Sequence, residues 1–425
     1  MDRKQATKNN ESHDAADQDA RDTRESFFIK TLVQSSTSVP SLPRVLQNNQ
    51  SFYGMRYNRK FTMIAIAASI LLASVDALSI PTKVLYDSSN HLHRDMQYHP
   101  EQSARIDLCV KSLSSYIETS SQNVELIDVA PDESTNFAQP FSEEELLYAR
   151  GILTQVHSEE LVESLETKCR TSRDRRMEDG KSPLGFIGYL DDDTYMTTES
   201  YDVCLRATAC WIECVNQVLN GLSYSMALTR PPGHHATRTL PNGFCTFNFA
   251  AAAALHATKQ ANCQKVSIID WDVHYGQGVA DIVESYSNIR YVSMHQVPAF
   301  PYQGQTRGVS GQYKNIMTVP MAPDSTWTCG YRELFTEKVL PFCSSAEWQP
   351  DLVIVCAGYD ALDSDELASC SLIAADYGKM TSMLREHLGG DGKIVLGLEG
   401  GYQLRDGVPG GNLGDAVVET IKALG

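Results

Sequence analysis

Residues 265–278 read K-V-S-I-I-D-W-D-V-H-Y-G-Q-G, and the change of character half-way along decides the fold. The first half, 266–269, is a short run rich in β-branched residues, the composition of a strand buried on both faces. The second half presents Asp270, Asp272 and His274. Alternate side chains of an extended chain point the same way, so Asp272 and His274 share one side. A carboxylate oxygen and an imidazole nitrogen aimed at one point make half of a divalent-metal site, and they suit zinc best. Gly276 and Gly278 let the backbone turn closely beside a bound group. Alone, the pattern also fits a strand end with two solvated acids and a histidine; the rest of the chain decides.

Four more apolar runs end in the same manner. Residues 225–228 lead into R-P-P-G-H-H-A (230–236), and 291–294 lead into His295 and a loop to Phe300. Residues 352–355 lead into C-A-G-Y-D-A-L-D-S-D (356–365), and 394–398 into E-G-G-Y (399–402). Helical stretches at 249–259, 331–340 and 374–387 separate most of them, and 200–219 forms another helix, with Trp211 and Val215 on one face. Upstream, 83–86 reads as a strand. A helix opens at His99-Pro100-Glu101 and runs to 116, with Pro and an acid where its dipole favours them. Two short helices at 143–149 and 158–167 precede a charged loop, 170–181, that ends at the acidic run 191–193. Alternating strands and helices predict an α/β domain with a mostly parallel central sheet covered on both faces. Ligands of such sheets bind beyond the carboxyl ends of the strands, so all five exits line one crevice. With no internal repeat or interdomain linker, residues 81–425 read as one catalytic domain.

The chain has 425 residues, a formal charge of −17 and 11 scattered cysteines. Net acidity argues against direct nucleic-acid binding, which relies on Lys and Arg at phosphates. The cysteines form no disulfide framework or zinc ribbon and fit a reducing compartment. Residues 1–54 are polar, the composition of a disordered extension. Residues 55–80 resemble a targeting segment: basic M-R-Y-N-R-K, then an apolar run too short to span a bilayer, then small residues around Ala77. Cleavage near Leu78 and an organelle such as a plastid are expected, against a nuclear or cytosolic protein that keeps the segment. Membrane contact is expected only through that segment, if it is retained.

Within the crevice, His234 and His235 cannot both pack inward, and read as paired acid/base groups. Either Asp363 or Asp365 completes a site with Asp272 and His274, leaving room for water and substrate as a catalytic zinc requires. Tyr402, after two glycines, is placed to polarise a carbonyl. Phe244 and Phe300 come from two different loops and suit the walls of a slot for an alkyl chain.

Five ordered motifs, R-P-P-G-H-H-A, N-G-F-C-T-F-N, D-W-D-V-H-Y-G-Q-G, C-A-G-Y-D-A-L-D-S-D-E-L and L-E-G-G-Y, resemble the histone deacetylase superfamily. The likeness is closest to class II enzymes and acetylpolyamine-amidohydrolase-like relatives, and it spans about 83 to the C-terminus. It implies a three-layer arginase–deacetylase fold and one Zn2+ per chain on Asp272, His274 and Asp365. It also implies His234 and His235 as the acid/base pair and Tyr402 as the transition-state hydroxyl. Gly243, Phe244 and Phe300 would line the acyl-lysine channel, with Asp191, or next Asp193, holding the substrate backbone at the rim. Asp270, Asp272, His274, Ser293 and Met294 would hold a structural K+. Gln277 departs from the family pattern, which has Asp or Asn beside the second histidine; Tyr275 replaces a usual His. The implied reaction is hydrolysis of N-acetyl-lysine in histones or other proteins. Small acetylated amines are the alternative substrate, and a non-catalytic scaffold is a third class.

Overall fold

The five apolar runs become the five central strands of one sheet. A computed structural model describes residues 81–131, 140–363 and 365–425, so the expectations for 1–54 and 55–80 lie outside the described residues. In chain order the strands are β1 (Thr82–Tyr86), β2 (Val124–Asp128), β3 (Phe186–Tyr189), β4 (Tyr195–Thr197), β5 (Tyr224–Leu228) and β6 (Val266–Asp270). They continue with β7 (Ile289–Gln296), β8 (Gly308–Ser310), β9 (Ile316–Met321), β10 (Leu352–Ala357) and β11 (Ile394–Leu398). Nine of them form a sheet in the order β2-β1-β5-β11-β10-β6-β7-β9-β8, and β3 pairs with β4 in a separate hairpin. Every pairing in the large sheet is parallel except that of the exposed edge strand β8 with β9.

β5, β6, β10 and β11 are buried at every residue, as a parallel strand covered on both faces must be. One apolar layer holds Trp211, Phe249 and the alanine-rich helix Phe249–Thr258; the other holds Trp271, Tyr359 and Tyr377. Small side chains permit a close helix–sheet approach, and Gly397 in β11 shows how tight it is. A Cβ there would lie 1.8 Å from the Trp211 ring.

The expected loop at 170–181 is mostly helix: one continuous helix runs Glu159–Glu178. Ser158 caps it, and Leu161, Val162, Leu165 and Cys169 bury one face. Arg173 reaches Glu199 and Asp202 from its last turns. The dense charge at 170–181 belongs to the solvent side of that helix, which masked the period. The helix expected from His99 instead begins at Ala104, leaving 99–103 to run beside the strand exits.

A buried ionic network fixes the end of β5. Arg230 donates from Nε and Nη2 to the two oxygens of Glu101, each at 2.6 Å, and from Nη1 to the carbonyls of Asn90 and His93. Tyr195 donates to Glu101 at 2.7 Å, and Arg105 stands 3.6 Å away. Burial disfavours the Glu101 charge, but Arg230 outweighs it and holds the pKa down to about 2. Removing one partner of such a pair leaves an uncompensated buried charge. Glu101→Ala is expected to lose about 3–5 kcal/mol of unfolding free energy in urea titrations. A loss below about 1 kcal/mol would mean the pair stabilises little beyond a surface ion pair.

Candidate active site

The β5 exit carries the histidine pair. Glu399, at the end of β11, accepts the backbone N–H groups of Gly233 and His234 at 2.6 and 3.0 Å through Oε2. The two imidazoles lie tilted at 40° to each other with centroids 3.9 Å apart. His234 Nδ1 lies 3.1 Å from Asp270 Oδ2, which also accepts the Tyr291 hydroxyl at 2.7 Å. Burial alone would depress the His234 pKa, but the charges of Asp272 and Asp270 raise it to about 10. His235 Nδ1 lies 2.7 Å from Gln277 Oε1. Burial, then the neighbouring His234 and His274, push the pKa of His235 well below the ordinary value.

Asp272, His274 and Asp360 converge, each with one donor atom within 4.8 Å of the others. His274 Nδ1 lies 2.9 Å from Asp360 Oδ2 and 3.3 Å from Asp272 Oδ1. Backbone N–H groups hold the carboxylates: His274 and Gly400 on Asp272, and Val273 on Asp360. Burial and the nearby Asp272 charge raise the Asp360 pKa to about 7. Two buried carboxylates and one imidazole crowded together are a donor set that fits a divalent cation. The cradle is cut for them. A Cβ on Gly358 would lie 2.0 Å from Asp272 Oδ2, and one on Gly400 would lie 2.3 Å from Asp360 Oδ2.

The expected third ligand, Asp365, is not part of this trio. Its Oδ2 accepts the N–H groups of Tyr402 and Gln403 at 2.7 and 3.1 Å, and its Oδ1 accepts that of Leu367. Asp365 braces the turn that presents Tyr402, and Asp360 is the acid that stands beside Asp272 and His274. A second trio, His234, Cys245 and Glu399, also converges. Burial raises the Cys245 pKa well above its ordinary value, and its sulfur accepts the His235 N–H.

Tyr402 sits beside the channel walls. Its ring lies edge-on to Phe244 with centroids 5.9 Å apart, and Phe300 lies edge-on to His235 at 4.9 Å. A Cβ on Gly243 would meet both Phe300 and His235 within 3 Å, and Phe244 adopts φ 68°, so the turn places a ring where few side chains fit. Asp191 is engaged locally: it accepts from Asp193 N, Thr194 N, Thr194 Oγ1 and Gly243 N. Those bonds tie the acidic turn to the Gly243–Phe244 turn, and Asp193 stands next to Asp191. Burial, then Asp191, raises the Asp193 pKa to about 6. Asp270 and Ser293 pair across β6 and β7, next to Met294, the place expected for a monovalent ion.

Three groups went unforeseen. Arg105 donates to the carbonyls of Gly401 and Glu399 and lies over the Tyr402 ring at 4.8 Å; its i,i+4 spacing from Glu101 was the available signal. His99 packs edge-on against Phe244. Tyr98 donates to Glu366 at 2.6 Å, joining that rim to the Asp365 loop; no sequence pattern announces that contact.

A family model described as the histone deacetylase domain matches residues 99–409. The chain belongs to the histone deacetylase family. It is 44% identical over 237 residues to an uncharacterized protein of Synechocystis sp., covering 56% of this chain and 74% of that one. Histone deacetylase 14, chloroplastic, of Arabidopsis thaliana is 29% identical, with 83% of this chain and 79% of its own length covered. Polyamine deacetylase HDAC10 of Danio rerio is 30% identical, over 67% of this chain and 39% of its own length. Among solved structures, the HDA15 HD domain aligns with a TM-score of 0.65 at 28% identity, covering 81% of this chain and 89% of that chain. The fold is thus the three-layer arginase–deacetylase arrangement of that domain.

The trio assigns distinct outcomes to two neighbouring acids. Asp360→Ala is expected to lose bound metal, while Asp365→Ala keeps about one ion per chain and loses activity through the Tyr402 turn. Metal content of the purified variants, measured by mass spectrometry, checks this. Loss of metal in the Asp365 variant alone would restore the original ligand set.

Proposed function

We propose that the chain is a zinc-dependent deacetylase that hydrolyses N-acetyl-lysine in proteins to lysine and acetate. The observation that carries this reading is the grouping of the Asp272–His274–Asp360 trio with the His234–His235 pair, which Phe300 packs against, and with Tyr402, which Phe244 packs against. Asp272, His274 and Asp360 would hold the zinc. When bound, the metal supplies Lewis acidity that polarises an amide carbonyl and acidifies water.

The protein residues then divide the proton work. His234, hydrogen-bonded at Nδ1 to the Asp270 carboxylate, is the less suited of the pair to accept a proton. His235, depressed and neutral, takes one from the attacking water as its oxygen bonds the carbonyl carbon. The Tyr402 hydroxyl, kept protonated by burial, donates to the oxyanion. The C–N bond breaks as the histidine pair delivers a proton to the departing amine, leaving acetate and a free lysine. Phe244 and Phe300 would flank the alkyl chain, with Asp191, or next Asp193, accepting the substrate's backbone N–H. A structural K+ would draw on Asp270 and the main chain of Asp272, His274, Ser293 and Met294.

The working place we infer is an organelle. The signal-like segment at 55–80 and a relative named as chloroplastic support it, and N-terminal sequencing of the native protein tests it: an intact start upstream of Phe61 would overturn it.

Tyr402→Phe is expected to keep metal and fold while kcat on an acetyl-lysine peptide falls ~10²–10³-fold. Near-normal turnover would remove Tyr402 from the mechanism. Parallel assays with acetylated diamines test the substrate class: faster turnover of these than of peptides would transfer the reading to small amines.

A further inference from the structure

We propose that Gln277 is the positioning residue for His235, gripping it at two points so that one neutral tautomer is presented to the reaction. The inference rests on the deacetylase reading in taking His235 as the base. Gln277 is the first residue of the short helix Gln277–Val283 and is buried. Its Oε1 stands 2.7 Å from His235 Nδ1, while its Nε2 donates to the His235 carbonyl oxygen at 3.2 Å.

The polarity of this grip follows from chemistry. A backbone carbonyl oxygen only accepts, so the amide nitrogen must face it and the amide oxygen must face the ring. An amide oxygen cannot donate, so His235 Nδ1 carries the hydrogen and Nε2 keeps the lone pair. The surrounding backbone is held just as closely. Val279 N donates to the His234 carbonyl at 3.2 Å, and Asn248 Nδ2 to that of Ala236 at 3.0 Å. A Cβ on Gly278 would lie 2.3 Å from the Ala236 oxygen, so only glycine lets the helix start this near.

A carboxylate at 277 has no hydrogen for the His235 carbonyl and would stabilise an imidazolium. Asparagine is a methylene shorter, with less reach to bridge ring and carbonyl together. The glutamine is therefore a neutral partner that holds His235 at two points. The two histidines are differentiated by what faces their Nδ1 atoms: the Asp270 carboxylate for His234 and the Gln277 amide for His235.

Two measurements test this. In metal-loaded wild-type protein with 15N-labelled histidine, the His235 resonances, assigned by their loss in His235→Ala, are expected to show Nδ1 protonated and Nε2 bare. The opposite tautomer overturns the proposal whether or not any variant folds. In kinetics, Gln277→Met is expected to lower kcat by about 10–100-fold with KM and metal content unchanged. Gln277→Glu, which keeps an acceptor for Nδ1, is expected to recover part of that loss. Unchanged kcat in the Met variant, or equal loss in both, overturns the proposal. Since the tautomer is read without turnover, an inactive wild type would sink the deacetylase reading and leave this test standing.

Discussion

Charge buried at the carboxyl edge of the sheet is the constraint on which the rest of the site depends. Asp270, Asp272, Asp360 and Glu399 are all buried there, and an isolated carboxylate in such surroundings is strongly disfavoured. The fold answers with directed partners. Backbone N–H groups of the exit turns point at Asp272, Asp360 and Glu399, because a chain leaving the end of a strand has N–H groups free of ladder bonds. Imidazoles meet the remaining oxygens of Asp270 and Asp360. A divalent cation would complete this arrangement, since the Asp272–His274–Asp360 corner still sets two carboxylates against each other.

The same constraint explains where side chains are missing. Gly358 and Gly400 have no special dihedral role at the trio; they are there because a Cβ would occupy carboxylate space. Gly243 differs, for its positive φ and its closeness to Phe300 and His235 both exclude a side chain. Glycine in these motifs thus marks two separate physical demands, volume beside charge and backbone conformation beside a ring.

How much of this was legible in the sequence depends on how regular the local backbone is. Apolar composition identified all five central strands, and Asp272 and His274 do converge, though on a bend after β6 and not on an extended strand. The third acid stayed open because Asp360, Asp363 and Asp365 follow β10 outside any strand or helix, where spacing carries no direction. Only the folded chain shows Asp360 meeting His274 and Asp365 binding N–H groups 37 and 38 residues away. Asp191 likewise bonds the backbone of its own turn, as a short acid there does. The helix at 159–178 was cut short because its outer face is all charge.

Fold stability and catalysis meet at Arg105. Its guanidinium lies near the buried Glu101–Arg230 pair on one side and on the other holds the Gly401 carbonyl and covers the Tyr402 ring. A phenol on a glycine-glycine turn would otherwise sample many positions, because glycine restrains the backbone least. Asp365 binds the N–H of Tyr402 and Arg105 binds the carbonyl just before it, so both faces of the Gly401–Tyr402 peptide are held. In the proposed mechanism the Tyr402 side chain would then need little reorganisation to meet a developing oxyanion. The buried pair that anchors the end of β5 thereby reaches the Tyr402 turn through a single side chain.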